Sequence, residues 1–256
     1  MLNRPTRRLD DLTVAVSPQV ATSRSVRGAH PVRTRIHGVD VAAQRAWAQR
    51  AGQVRDAFGI PAGAFVLAVV ANFRPVKNHA LLIEAAALVL DRRPDAMFVL
   101  AGDGPLREQV LADIRHRGLQ DRVRYLGQVP HGGMLASAAD ILVLASRYEA
   151  LPVVVMEALA SGVPVVAPRV GGIPDLVRDG DNGVLVQPDS PQRLAKGILH
   201  AMRPEVHTVL AAGALADTSL VDMTSTARWF GDVYERLAGT ARASRKDAVR
   251  NRSHRR

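Results

Sequence analysis

The chain has 256 residues, of which 47% are hydrophobic and 23% charged, a composition typical of globular proteins that argues against general disorder. It has no cysteine, which excludes disulfide frameworks, thiolate nucleophiles and cysteine-ligated zinc. The formal net charge of +10 lies at the ends: residues 1–35 carry seven arginines against two aspartates, and residues 241–256 carry seven basic residues against one aspartate.

The basic residues at the start of the chain are followed by no apolar run, so the sequence predicts no secretory signal. The longest near-apolar stretch, residues 150–168, is broken by Glu157, Gly162 and prolines, which argues against a bilayer span. We therefore expect a soluble, cytoplasmic protein.

The basic segment 241–256 predicts a disordered, solvated tail. The alternative is weak contact with an anionic membrane surface, which would make the protein peripheral at the membrane. We expect no nucleic acid partner, because the segment has no aromatic residue on which a base could stack.

Short apolar runs alternate with amphipathic segments from residue 65 to about residue 202. The apolar runs predict strands at 65–71, 96–101, 123–126, 141–145, 163–167 and 184–186. The segments between them predict helices at 78–90, 105–117, 133–139, 153–161 and 191–202. This alternation predicts an α/β domain, a Rossmann-like parallel sheet flanked by helices.

The residues that follow each predicted strand indicate where a ligand would bind. All strands of a parallel sheet end at one edge, where the next helices begin and their free N–H groups meet anions. The residues predicted at this edge are Asn72, Arg74, Lys77, Gly102, Asp103, Gly104, Gly127, residues 146–149, Gly171 and Gly172. These cations, carboxylates and glycines suit a ligand that carries phosphates and hydroxyls.

Two cations precede the first predicted helix of the alternating region. Lys77 stands at the head of that helix, where its ammonium would add to the positive end of the helix dipole and favour a pyrophosphate. Arg74, on the preceding turn, would add a bidentate phosphate contact. The alternative is that both are ordinary surface cations on a loop.

The segment 146–172 carries two glutamates, Glu149 and Glu157, eight positions apart. Pro152 between them suits the first turn of a helix that would contain Glu157 among apolar residues. A carboxylate is costly to bury there unless it accepts hydrogen bonds, which two vicinal ribose hydroxyls would donate; the alternative is a solvated helix face. The free N–H groups that would face phosphate or sugar oxygens belong to Ala150, Leu151 and Val153.

These residues and their order resemble a known family. The E-x7-E spacing is followed by ALASGVPVVA, GGIPDLV and DGDNGVLVQP, and preceded by AGDGP at 101–105 and VRYLG at 123–127. The series resembles the donor-binding core of retaining GT-B glycosyltransferases of family 4. The resemblance extends from about residue 12 to about residue 237.

The resemblance implies roles for particular residues. Glu157 would bind the ribose of a nucleoside diphosphate sugar, Glu149 would be the catalytic-site residue on the transferred sugar, and Lys77 would bind the diphosphate. The loop 127–130 would lie near the base. It also implies retaining transfer with no cofactor and no essential metal, the charge of the departing diphosphate being neutralised by cations and helix N-termini.

Two positions depart from the family pattern. The family often has an arginine where this chain has Asn72, and Arg74 is the candidate substitute. The family usually reads Asn-Gly-Val-Asp after the interdomain connection, where this chain has His37 at the first position. We interpret His37 as a linker or packing residue.

The resemblance also implies a domain division. Residues 12–17 resemble the last strand of the family's N-terminal domain, so residues 1–40 are interpreted as a remnant of that domain and its linker. The Rossmann-like donor domain would span 41–220 and a closing helix 221–240, its apolar stripe being Met223, Ala227, Phe230, Val233, Tyr234 and Leu237.

The rest of the N-terminal domain, with the acceptor site, would be missing from this chain. We therefore expect a donor domain that needs that domain or a partner chain for transfer to an unknown acceptor. The alternative is a catalytically inactive module that binds a nucleotide-sugar or a protein. The E-x7-E arrangement favours transfer over a third reading, a sugar-nucleotide epimerase.

Overall fold

The computed structural model describes residues 10–24, 26 and 31–253, with side chains as far as residue 239. The two ends of the chain, at 1–9 and 254–256, belong to the predicted remnant and the predicted tail and lie outside the described residues. The same holds for the side chains from 240 onward.

The strands of the described chain form one small and one large parallel sheet. They are β1 (Thr13–Ala15), β2 (Val32–Thr34), β3 (Phe65–Val70), β4 (Ala96–Ala101), β5 (Val123–Tyr125), β6 (Ile141–Val143), β7 (Val165–Pro168) and β8 (Gly183–Val186). β1 pairs with β2, and the other six strands form a sheet in the order β5-β4-β3-β6-β7-β8. Every strand pair is parallel.

Helices connect these strands. They are α1 (Pro18–Ala21), α2 (Val41–Ala48), α3 (Ala51–Ala57), α4 (His79–Leu90), α5 (Arg107–His116), α6 (Gly132–Ser137), α7 (Val153–Ala160), α8 (Pro191–Ala201), α9 (Pro204–Ala216) and α10 (Met223–Ser253). Single 3₁₀ turns occur at Pro75–Lys77, Ile173–Asp175 and Ser219–Val221.

The predicted Rossmann-like sheet is confirmed. All six predicted strands and the five helices between them are present, with bounds that differ by a few residues at most. Successive residues of β3 and β4 belong alternately to two apolar cores, one on each face of the sheet. A sheet that is buried on both faces explains why these strands are continuous apolar runs.

Four helices were not predicted: α1, α2, α3 and α9. α2 follows the linker and begins after Asp40, whose carboxylate accepts a hydrogen bond from Ala43 N at 2.9 Å. This N-cap is readable from the sequence. α9 begins with Pro204, a residue favoured in a first helical turn.

The linker is fixed to the start of the closing helix. Val39 N donates to Val221 O at 2.8 Å, and Met223 N donates to Val39 O at 3.0 Å. Gly38 packs so closely on this junction that a Cβ would lie 2.2 Å from Met223 N. The linker residues Gly38 and Val39 are therefore joined directly to the start of α10.

The predicted closing helix is longer than expected. α10 continues to Ser253, so residues 241–253 have a helical backbone, which differs from the disordered tail that their charge predicts. This segment contains no proline or glycine and is rich in alanine and arginine, which favour helices. No helix in the described part of the chain is both long enough and apolar enough to span a membrane.

The predicted apolar stripe of α10 is only partly covered. Val233 is buried, Phe230 and Leu237 are half-buried, and Met223, Ala227 and Tyr234 are exposed. The Tyr234 side chain is 66% exposed. A large part of the stripe therefore faces away from the described residues.

Candidate functional site

A cavity of about 500 Å³ opens at the carboxyl ends of β3 and β4, the edge where the sequence predicted the site. Its lining residues are Val70, Ala71, Asn72, Ala101, Gly102, Asp103, Gly104, Gln128, Val129 and Gly132. Gly102 has a φ of +134°, and a Cβ there would lie 2.0 Å from Ala71 O. Only glycine lets the loops after β3 and β4 approach so closely.

The loop 127–130 forms one wall of this cavity through Gln128 and Val129. Gly102 N donates to Gly127 O at 2.8 Å, which fixes the loop against the end of β4. The loop that the resemblance assigns to the base is thus part of the cavity wall.

Two predicted site residues, Lys77 and Glu149, contact each other directly. Lys77 ends the 3₁₀ turn just before α4, and its Nζ donates to Glu149 Oε1 at 2.6 Å. The buried hydroxyl of Ser146 donates to the same oxygen at 2.7 Å. The sequence placed Ser146 at this edge but gave it no role of its own, and its hydrogen bond to Glu149 is visible only in the structure.

The backbone of Glu149 is held by the glycine pair that follows β7. Gly172 N donates to Glu149 O at 2.9 Å. Gly171 has a φ of +57°, and a Cβ there would lie 1.7 Å from Glu149 O. Gly171 and Gly172 therefore support the backbone of Glu149, whereas Gly102 and Gly104 line the cavity.

The start of α7 offers unpaired donors beside this pair. Among the described residues, the N–H groups of Ala150, Leu151 and Val153 donate to no carbonyl. Ala150 and Val153 are exposed, whereas the Leu151 side chain is buried in the core. An anion placed here would meet N–H groups, the positive end of the helix dipole and the nearby Lys77.

Glu157 lies one helical turn or more further along α7 and contacts neither Lys77 nor Glu149. No described residue hydrogen-bonds its carboxyl, and burial raises the pKa of this group, an effect that the charge of His131 partly opposes. The carboxyl lies beside Gly133, the neighbour of the cavity residue Gly132. Its hydrogen-bonding capacity is therefore not used by the described chain.

Other candidate residues lie outside these contacts. The side chain of Arg74 is exposed and makes no hydrogen bond or ion pair with Glu149, whereas Asn72 lines the cavity. His37 is half-buried in the linker, next to the contact of Gly38 with α10. Its role as a packing residue stays a prediction.

His79, the first residue of α4, was not singled out by sequence reasoning. It is buried and stacks on Phe73 with a ring-centroid distance of 4.1 Å. Burial lowers the pKa of His79 to about 4, and the charge of Lys77 acts in the same direction. This histidine is therefore a neutral core residue below the cation.

The described residues contain no group of three or more histidines, aspartates and glutamates that could hold a metal ion. That finding concerns side chains that the structure describes. Whether the protein works without metal stays a prediction.

Known proteins resemble this chain in sequence and in structure. The model of the family described as "Glycosyl transferases group 1" matches residues 52–208. The D-inositol 3-phosphate glycosyltransferase of Saccharomonospora viridis is 33% identical over 227 residues, which cover 83% of this chain and 52% of the relative. The chain spans about half or less of the length of the curated relatives it matches.

Solved structures show the same architecture. HepE of Anabaena, in complex with UDP and glucose, superimposes with a TM-score of 0.80 and 26% identity, covering 90% of this chain and 64% of HepE. Sucrose-phosphate synthase of Thermosynechococcus elongatus has a TM-score of 0.77 and 25% identity, covering 90% of this chain and 59% of that protein.

Proposed function

The chain belongs to the glycosyl transferases group 1 family, with a Rossmann-like domain of the GT-B type, and on that premise we propose that it binds a nucleoside diphosphate sugar for retaining transfer. The observation that carries the proposal is the position of the Lys77–Glu149 pair. It joins a cation and a carboxylate at the start of α7, on the sheet edge that also forms the cavity.

Each part of the ligand has a partner at this edge. The diphosphate would bind Lys77 Nζ and the N–H groups of Ala150, Leu151 and Val153, which together supply positive charge without a metal. Arg74 is exposed near this point and would add a further phosphate contact. The transferred sugar would bind Glu149, which we assign to the catalytic site.

The nucleoside would occupy the cavity. Its base would lie against the loop 127–130, and its ribose hydroxyls would donate to Glu157. The Glu157 carboxyl supports this assignment, since it is half-buried, no described residue hydrogen-bonds it, and a vicinal diol supplies two donors. HepE, in complex with UDP and glucose, further supports a nucleotide-sugar ligand.

Binding would change the Lys77–Glu149 pair. A phosphate bound to Lys77 competes with Glu149 Oε1 for the ammonium, and a sugar hydroxyl that donates to Glu149 takes over the position that Lys77 Nζ holds. The ion pair would therefore couple binding of the diphosphate to binding of the sugar, because the diphosphate would take Lys77 and the sugar would take Glu149.

We further propose the domain division of the sequence prediction: a remnant and linker at 1–40, a donor domain at 41–220 and a closing helix from 221. Relatives about twice as long, together with the exposed part of the α10 stripe, support a further domain or partner chain on that side. Transfer would require it, since positioning an acceptor hydroxyl contributes roughly 7–11 kcal/mol at best.

The test of donor binding is a calorimetric titration of the chain with UDP-, GDP- and ADP-sugars. We expect one base to bind, and Lys77→Met to weaken its diphosphate by about tenfold or more, the loss of a charged hydrogen bond. Lys196→Met, an exposed lysine on α8, is the matched control and should bind as the wild type does. Binding of no nucleotide-sugar, or equal affinity in all three proteins, would contradict the proposal.

The test of transfer uses the chain alone and with a purified N-terminal half from a relative. Alone, the chain should hydrolyse donor slowly at most, and the added half should restore transfer to an acceptor. Multiple-turnover transfer by the chain alone would contradict the need for a partner. Donor binding that never leads to transfer with any added half would favour the alternative, a catalytically inactive binding module.

A further inference from the structure

The strongest unexplained polar group near the site belongs to Gln44 of α2. Gln44 Oε1 is buried and has no hydrogen-bond partner among the described residues. Buried acceptors without partners are rare in native proteins, because each one forfeits its hydrogen bond to water. This atom therefore calls for a partner that the described contacts do not supply.

The surroundings of Gly133 show what lies next to this amide. A Cβ on Gly133 would lie 2.7 Å from both Gln44 Oε1 and Gln44 Nε2, and 2.9 Å from the Glu157 carboxyl carbon. The amide and the carboxyl thus share one small volume, which exists because residue 133 has no side chain. Neither group is hydrogen-bonded by any other described side chain.

The backbone keeps both groups in this arrangement. α2 packs on α6, which contains Gly133, and on α7, which contains Glu157. Ser161 Oγ lies 2.9 Å from Glu157 O and 3.4 Å from Gln44 O, so one hydroxyl bridges the two helices. The backbone of Gln44 is therefore held against α7, the helix that contains Glu157.

On the basis of the proposed function, we propose that Gln44 is a positioning residue that orients the Glu157 carboxyl toward the ribose diol. A primary amide suits this task in both protonation states of its neighbour. Nε2 donates to a charged carboxylate, and Oε1 accepts from a protonated carboxyl once the amide has turned end for end. An apolar side chain offers neither.

This role predicts a specific loss. Without the amide, Glu157 keeps its charge but has no neighbouring polar group to orient it, so the preference for a ribose that carries hydroxyls should fall. Contacts with the phosphates, which lie with Lys77 and the start of α7, should not change. The measurable quantity is the ratio of affinities for a nucleoside diphosphate and for its 2′,3′-dideoxy form.

The experiment compares Gln44→Leu and Gln44→Met with the wild type. The probes are UDP, GDP or ADP, whichever binds most tightly, and its 2′,3′-dideoxy analogue. We expect the ratio to fall by about threefold to tenfold, the loss of one hydrogen bond, with affinity for the dideoxy form unchanged. Gln49→Leu, an exposed glutamine that caps the end of the same helix, is the matched control and should leave the ratio unchanged.

The outcomes separate this inference from the proposed function. If Glu157→Gln lowers the ratio while both Gln44 variants keep it, the inference is overturned and the ribose assignment stands. If the Gln44 variants lose affinity equally for the nucleoside diphosphate and its dideoxy form, Gln44 has only a structural role, and the inference is overturned. If the wild type does not distinguish the two ligands, the ribose assignment itself fails, and the inference fails with it.

Discussion

Glu149 and Glu157 are eight residues apart in one motif, yet their surroundings are opposite. Glu149 Oε1 accepts hydrogen bonds from Lys77 and Ser146, so the protein itself satisfies this carboxylate. Glu157 accepts none from the described residues, and burial raises its pKa. A ligand that binds Glu149 must therefore replace a hydrogen bond that the protein already makes. A ligand that binds Glu157 replaces none among the described residues.

This contrast sets the relative size of the expected effects. A ligand that donates to the half-buried Glu157 carboxyl displaces water but no protein contact among the described residues. A ligand that donates to Glu149 replaces bonds that the protein already makes, so only the difference contributes. Loss of Glu157 should therefore weaken nucleotide binding more than loss of Glu149 does.

The largest effect is expected for Glu157→Ala, which removes the half-buried carboxyl that no described residue hydrogen-bonds. Nucleoside diphosphate affinity should fall by about tenfold to a hundredfold, equivalent to about 1.5–3 kcal/mol, because two hydroxyl donors lose a charged acceptor. Calorimetry measures this change. The control is Glu108→Ala, which changes an exposed glutamate on α5 and should bind as the wild type does. Equal affinity in the wild type and Glu157→Ala would contradict the contrast between the two glutamates.

The next effect is expected for Glu149→Ala. Affinity for the intact donor should fall by about tenfold, while affinity for the bare nucleoside diphosphate stays nearly unchanged, since the freed Lys77 still binds phosphate. The measurement is the ratio of the two affinities. A parallel fall for both ligands would show that Glu149 acts on the nucleotide or on the structure.

A smaller effect, on stability, distinguishes the two carboxyls without any ligand. Because the pKa of Glu157 is raised in the folded protein, the folded state binds more protons than the unfolded state, and stability falls as the pH rises from the ordinary value of 4.5 through the folded pKa. Glu157→Gln removes this loss.

The variant Glu157→Gln should therefore melt about 1–4 °C higher than the wild type above that pH window. Below pH 4.5, where both states of the wild type are protonated, the two should melt alike. Thermal unfolding followed by circular dichroism across the window measures this. A higher melting temperature at low pH only would contradict the assigned direction.

The smallest effect is expected for Ser146→Ala, which removes one of the two donors to Glu149 Oε1 and leaves Lys77 in place. Donor affinity should fall by about twofold to fivefold, a modest change because a single hydrogen bond is lost. The affinity for the bare diphosphate, measured on the same protein, is the internal control. A loss larger than that of Glu149→Ala would mean that Ser146 acts beyond this carboxylate.

The sheet was predictable because its strands are apolar runs bounded by turn residues, and the helices between them have one apolar face. The edge that carries Lys77 and Glu149 followed from the parallel topology alone. Their direct contact did not, because it joins residues 72 positions apart and depends on β3 and β6 being neighbours in the sheet. No local pattern encodes that order.

Gln44 shows a second limit of sequence reasoning. Its helix lies in a segment interpreted as following a linker, and nothing in its neighbourhood marks a polar residue as belonging to the site. Only the packing of α2 on α6 and α7 brings its amide beside Glu157. The separate assignment of residues to ribose, sugar and diphosphate came from the resemblance and stays a proposal.

The glycine pair at 171 and 172 has a consequence for how the site opens. Gly172 N is bonded to Glu149 O, and no larger residue fits at 171, so the loop after β6 and the loop after β7 form one unit of local unfolding. The amide hydrogen of Gly172, which bonds to Glu149 O, should therefore exchange with solvent only when both loops open together. Glu149, the proposed sugar ligand, then cannot be released by fraying of its own loop, and its exposure requires the end of β7 to open as well.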